Sequence, residues 1–392
     1  LVLGREAMTL RLVAAGALLV LAFRPEALVG PSFQMSFAAV TMLVVVHQSP
    51  RLSIWFKKRE EVFAMHWLRG IGSILVTGLA IELALTPIAL FHFHHAGLYG
   101  AIANIIAIPL TSFVIMPIEG LALLADLAGL GGFFWWLAGI AIGSLIALAQ
   151  HVSGWPGAVA MLPSMPVAAF ALMVIGGVWM ALWHGRIHLI GLAPFLAGCL
   201  WAISVPSPAL LITGDGRHVA VRRAGGGLAL LRVRTGDFVR QSLGEIAADP
   251  VSLAFEDLPT ATCSADMCIA DLQSGGHRLR LMATRSRYLV RWRSMMEACA
   301  AVDLVISDRR LPDRCRPRWL KADRVLLART GGLSVSLSPF VLRTTRAARD
   351  DHPWVMSDAM AASANATALL SAAKAMRMPS FETPVTRAAI VP

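Results

Sequence analysis

IGSILVTGLAIELALTPIALF (residues 71–91) decides the fold class. Glu82 carries the one formal charge in this stretch. A hydrocarbon crossing needs about 20 predominantly apolar residues in a helix. The stretch therefore reads as a membrane span, with Glu82 as a charge that must face the bundle interior or water, either on a pathway or bound to a local partner such as a Ser or Asn of a neighbouring helix. Apolar runs of the same kind lie on both sides, at 9–23, 31–46, 98–127, 133–149, 166–183 and 187–205. They predict about seven crossings within residues 1–206. The fourth run contains Pro109 and Pro117, so a kink or a break into two pieces is expected there.

Composition agrees with that reading. The 392-residue chain is 56% hydrophobic and 15% charged, against about 25% charged for an average soluble protein. Its net charge of +11 is concentrated late. Residues 207–349 hold roughly 23 Arg and Lys against about 13 Asp and Glu, a balance suited to phosphate or anionic lipid. An Arg-rich codon bias would give the same composition. The chain opens on Leu1 beside an apolar stretch without the parts of a signal peptide, which reads as a fragment boundary with upstream sequence expected.

The connection at 47–70 carries Arg51, Lys57, Lys58, Arg59 and Arg69 against Glu60 and Glu61. Positive loops stay in the cytoplasm. Five expected crossings then place the domain after Val205 on the opposite side of the membrane. The segment 151–165 is too rich in Pro and Gly for a span, and Trp155 suits a membrane–water interface.

From Pro206 the pattern changes to short apolar or alternating runs, at 209–213, 218–222, 228–233, 268–272, 279–282, 288–290, 303–306, 324–327 and 333–337. These read as strands, with helices expected at 241–248 and 293–301. The fold class is thus a multi-pass α-helical membrane bundle followed by a smaller α/β soluble domain over 207–349. Residues 350–392 are expected to form a largely disordered tail.

Cys263, Cys268, Cys299 and Cys315 lie in the soluble half, and Cys199 lies in the last span. Local pairing as Cys263–Cys268 and Cys299–Cys315 is the preferred connectivity of three. Free thiols and metal ligation are the alternatives, although the spacings are unusual for zinc. His92, His94 and His95 form the densest imidazole cluster, and read more readily as interfacial histidines than as ligands. Gln34, Ser36 and Asn104 lie within apolar runs, where polar groups bond to a neighbouring helix or line a polar cavity. Asn104 is followed by Pro109, which marks either helix backbone freed near the bilayer core or an ordinary proline kink, the kink being the readier reading. Gln34, Ser36, Glu82, Asn104 and Pro109 are therefore the candidates for a conduit.

The words Ala7-Met8-Thr9-Leu10, Arg24-Pro25-Glu26-Ala27-Leu28, Ser32-Phe33-Gln34-Met35-Ser36-Phe37-Ala38, Leu85-Thr86-Pro87 and Ala103-Asn104-Ile105-Ile106-Ala107-Ile108-Pro109 together resemble the ComEC family. These are inner-membrane proteins of bacterial natural transformation. The resemblance covers residues 1–206 and extends more loosely beyond. It implies a channel component that passes single-stranded DNA across the bacterial inner membrane, with the later domain periplasmic and related to a degenerate metallo-β-lactamase-like fold. No His-x-His-x-Asp-His run occurs, so neither metal, cofactor nor hydrolysis is expected. The implied partners are single-stranded DNA and the lipid bilayer, with other DNA-uptake proteins and a second copy of the chain left open. A membrane-anchored hydrolase and a non-transporting envelope scaffold are the rival readings.

Overall fold

The computed structural model describes residues 9–49, 63–183, 185–223, 225–232, 234–274, 277–286 and 290–346. Arg51, Lys57, Lys58, Arg59, most of the strand expected at 288–290 and the tail expected at 350–392 lie outside the described residues. The chain divides into two compact units, 1–205 and 206–392.

Hydrocarbon offers backbone groups no partner except one another, so apolar runs close into helices. The first unit comprises α1 (Leu10–Phe23), α2 (Pro31–Gln48), α3 (Phe63–Phe93), α4 (Gly100–Leu110), α5 (Met116–Asp126), α6 (Gly132–Ser153), α7 (Val167–Leu182) and α8 (Leu192–Ile203). The Thr9 hydroxyl caps α1 by accepting from the Leu12 N–H, and Pro31 opens α2 at a position that needs no N–H. Among the described residues, Leu68–Phe93, Gly100–Asp126, Gly132–Ser153 and Gly185–Ile203 are long and apolar enough to cross a membrane, while α1 and α7 are shorter. The break expected near Pro109 and Pro117 takes the form of a π turn, Thr111–Ile115, that leads α4 into α5. Two prolines that cannot donate free the carbonyls four residues earlier, and the ladder shifts register around them.

Strands β1 (His95–Gly97) and β2 (Val159–Met161) pair antiparallel. The ladder is extended by Leu98 N–H to the Ala158 carbonyl at 2.9 Å and Leu162 N–H to the His94 carbonyl at 3.0 Å. This pairing places the α3–α4 and α6–α7 connections on one face of the unit. Helices α4–α5 and α6 therefore leave that face and return to it. Helix α7 packs closely on the last apolar stretch, because a Cβ on Gly176 would lie 2.5 Å from the Gly191 carbonyl oxygen and one on Gly198 2.6 Å from that of Ala169. Small residues at such contacts let helices in lipid gain dispersion energy.

The second unit holds two sheets. One has the order β13-β12-β3-β4-β5-β6 and the other β11-β10-β9-β8-β7. The strands are β3 (Leu210–Ile212), β4 (Val219–Arg222), β5 (Leu228–Leu230), β6 (Val251–Ala254), β7 (Ala261–Cys263), β8 (Met267–Ser274), β9 (His277–Thr284), β10 (Leu304–Ile306), β11 (Leu320–Ala322), β12 (Leu333–Leu337) and β13 (Phe340–Thr344). Leu210, Ile212 and Val221 meet Leu279, Leu281 and Leu304 in a core between the sheets. On the outer faces, Leu211 and Ala220 pack against Leu243 and Ala247 of α9 (Asp237–Ala247). Met282 and Val305 pack against Met295 and Cys299 of α10 (Trp292–Ala300). The layers run helix, sheet, sheet, helix, which explains strands that are apolar on both faces.

The expected strand at 324–327 is instead the start of α11 (Arg324–Thr330). The Asp323 carboxylate accepts from the Val325 N–H at 3.1 Å and the Leu326 N–H at 3.2 Å, and this cap overrides the apolar run. Disulfides join Cys263 to Cys268, which face each other across the β7–β8 pair, and Cys299 to Cys315. The second closes a loop with a sequence separation of 16 residues, worth about 3 kcal/mol of chain entropy. Replacing Cys299 and Cys315 together by Ala is expected to destabilise the second unit by about that amount. Proteolysis of the full chain over a denaturant series measures it.

Candidate functional site

The polar centre of the first unit is built around Glu82. Its carboxylate accepts from the Gly100 N–H at 3.1 Å and the Ala101 N–H at 2.6 Å, the first two residues of α4. A helix start leaves its first N–H groups unsatisfied and carries partial positive charge. Tyr99, preceding α4, offers no side-chain cap, so the neighbouring helix supplies one. Glu82 lies eleven residues before Phe93, the end of α3, which is about 16 Å along the axis. Helix α4 thus begins well down the flank of α3. The approach is close, since a Cβ on Gly78 would touch Ala101 at 3.4 Å.

Beside this cap lies a cavity of about 540 Å³ between α2, α3, β1 and α4, with His47, Ser73, Thr77, Glu82, Thr86 and Asn104 among its lining residues. Ser73 and Thr77 border the cavity along one flank of α3, and Glu82 and Thr86 along the other, each pair one turn apart. The Thr86 hydroxyl donates to the Glu82 carbonyl at 2.7 Å, one residue before Pro87, which has no N–H to give. The cavity is of the size that holds a small ligand.

Of the five conduit candidates, Glu82 and Asn104 meet in this cavity. Gln34 does not line it. The Gln34 amide nitrogen donates to the Leu28 carbonyl at 2.9 Å, and its oxygen accepts from the His92 ring nitrogen at 2.9 Å, so it ties α2 to α3. Ser36 lines a separate groove with Thr9, Leu12 and Phe37. Pro109 lies at the end of α4, before the π turn. His92 is the penultimate residue of α3, His94 takes a left-handed backbone conformation (φ 63°) and His95 opens β1. Ser73, Thr77 and Thr86 escaped the sequence reading. Thr86, four residues after Glu82, falls on the same flank of α3, whereas Ser73 and Thr77, nine and five residues before it, fall on the other, so spacing gave no signal for those two.

In the second unit, polar groups gather where β3, β5, β9 and β10 end. Arg232 meets Asp308 at 3.0 Å, Arg285 meets Glu256 at 2.7 Å, and buried Thr284 donates to Ser307 at 2.9 Å. Gly216 (φ 68°) fits here because a Cβ would lie 2.7 Å from the Ser307 carbonyl oxygen. Among the described residues, no three of His, Cys, Asp and Glu converge as metal ligands would. Burial pushes the His218 imidazole below its ordinary pKa, although the Asp215 carboxylate pulls it up.

The family described as competence protein matches residues 1–187, so the ComEC resemblance holds over those residues, which stop short of α8. A protein of Escherichia coli (strain K12) named "Uncharacterized protein YcaI" is 31% identical over 140 residues, which make up 35% of this chain and 18% of that protein. The chain therefore spans under a fifth of that relative's length in the matched region. No solved structure matches the chain.

Glu82→Ala leaves the Gly100 and Ala101 donors uncapped and should cost about 2 kcal/mol. This would be read as a lowered melting temperature of the detergent-solubilised chain, with Glu82→Gln losing less. An unchanged melting temperature in the Ala variant contradicts the capping role. Because His218 binds its proton less readily folded than unfolded, its contribution is lost as pH falls through the ordinary imidazole value. The second unit should therefore unfold more easily at pH 5 than at pH 7.5, and His218→Gln should flatten that dependence.

Proposed function

We propose, from competence-family membership of residues 1–187, that the protein is a channel component for single-stranded DNA uptake across the bacterial inner membrane. The cavity at the start of α4 carries the structural side of this reading. A polyanion cannot enter hydrocarbon, so it needs a polar path shielded by helices. Discontinuous helices that begin inside a bundle are where membrane transporters hold anionic cargo. Here Ser73, Thr77, Thr86 and Asn104 supply hydroxyl and amide groups beside such a helix start.

The same reading places the second unit in the periplasm. Two disulfides support this, since they persist in oxidising compartments. Its helix–sheet–sheet–helix layers support kinship with the metallo-β-lactamase-like fold. With paired Arg232 and Asp308 where its strands end, the unit is assigned a binding role rather than a hydrolytic one. Other uptake proteins and a second copy of the chain are the partners that fit an envelope assembly.

The test is transformation of the native bacterium with chromosomal variants. Asn104→Leu and Thr77→Val should each lower transformation frequency about tenfold, the effect of roughly 1.4 kcal/mol on a limiting step. Ser36→Ala, in the separate groove, should leave it unchanged. Normal transformation in both cavity variants, with the proteins present in the membrane, would remove the cavity from the path.

A further inference from the structure

In the second unit, the large apolar side chains that remain exposed among the described residues are Phe238 (83%), Trp292 (52%) and Val325 (40%). All three occupy the first or second position of a helix, in α9, α10 and α11 respectively. The topology brings these helix starts to one edge. Strands β3 and β5 are both antiparallel to β4 and so run in the same direction. Strands β9, β10 and β11 are parallel to one another. The Arg232–Asp308 ion pair, joining residues that follow β5 and β10, makes the ends of the two sets coincide. Helices α9, α10 and α11 follow β5, β9 and β11, so each begins at this edge.

Arginines share it. Arg217, Arg234, Arg291, Arg293, Arg310 and Arg324 are exposed there. Of the edge carboxylates, Asp308 and Glu256 are paired with Arg232 and Arg285. Asp266 accepts from the Ser286 hydroxyl, and Asp323 is buried beneath α11. Asp215, Asp237, Asp257 and Asp266, none of them in a described ion pair, remain against six arginines.

We infer that this edge binds single-stranded nucleic acid, with bases stacked on Trp292 and Phe238 and phosphates held by the arginines. The inference rests on the nucleic-acid cargo of the proposed function and gives it a receiving site. Aromatic side chains exposed among cations are the means by which proteins hold single strands without reading sequence, because every base has a π face. A duplex hides those faces, so this surface favours the single strand. The aromatics belong to opposite outer layers of the sandwich, with arginines and hydroxyls between them instead of the continuous apolar face that insertion into lipid requires. The chain also enters this unit at the other end of β3, at Pro206–Ala209.

The experiment uses the full chain in zwitterionic nanodiscs and a fluorescein-labelled 12-nucleotide strand of deoxythymidine, read by anisotropy at low salt. Trp292→Leu and Phe238→Leu should each weaken binding about tenfold, the fold-change of one base–aromatic stack worth about 1.4 kcal/mol. Arg310→Gln should weaken binding and lessen its salt dependence by about one phosphate. Arg278→Gln, at the start of β9, should leave affinity unchanged. Binding by the unaltered chain that both leucine variants retain in full would overturn this site while leaving the cargo reading intact. Absence of binding by the unaltered chain would overturn both. Full retention in the leucine variants, together with slowed amide exchange at 234–240 and 290–294 in anionic nanodiscs, would instead assign the edge to lipid.

Discussion

The first unit depends on one constraint: a helix that starts inside an apolar bundle must have its free N–H groups satisfied by protein. Water cannot do this in hydrocarbon, and an unmet backbone donor there costs several kcal/mol. Helix α4 meets the constraint with Glu82, a carboxylate from the helix beside it. The bond fixes the depth of α4 against α3, and Gly78 allows the contact to be close. The β1–β2 ladder then ties the connection leading into α4 to the one leaving α6. A single ionisable residue thus positions a helix, opens a cavity beside it and sets how two hairpins align.

The second unit solves a different problem, with water available outside and none between its layers. Its inner and outer strand faces are both covered, so the strands lose the polar–apolar alternation that marks a one-sided sheet. Besides an Arg278–Asp271–Arg280 cluster along β8 and β9, much of its charge gathers at strand ends and helix starts. There, ion pairs such as Arg232–Asp308 and Arg285–Glu256 hold loops in place while other arginines stay exposed. A pair at an edge keeps part of its hydration and avoids most of the desolvation cost of a buried one. Disulfides add what short strands of three to five residues cannot supply alone.

Helices of hydrocarbon length were legible because composition and run length alone specify them. The existence of α9 and α10 and the strands from β3 to β5 were legible from turn residues and apolar runs. Strands β6, β7, β11 and β13 were not. The three-residue β7 and β11, like β13, lie at sheet edges, where few side chains are buried and periodicity has little to show. The run at 324–327 misled because Leu326 and Leu327 are buried in either conformation, and Asp323 decided for the helix through a cap that an apolar count ignores. Glu82 was legible as a buried charge needing a partner. That the partner is a helix start rather than a side chain depends on a tertiary approach, which local sequence does not encode.

That partner also bears on the electrostatics of the proposed path. A bare carboxylate in a conduit would repel each passing phosphate, and with low dielectric around it the repulsion would be strong. Glu82 is not bare: two backbone N–H groups and the positive end of α4 face it. The partial charge at a helix start is about half an elementary charge, so the field seen from the cavity is well below that of a free anion. The Thr77 hydroxyl and the Asn104 amide can then present donors to the cavity, while the Ser73 and Thr86 hydroxyls, which donate to carbonyls of their own helix, offer it acceptor oxygens. The carboxylate that holds α4 in place is thereby compatible with a polyanion passing beside it, which a sequence reading of an isolated intramembrane acid would have judged unfavourable.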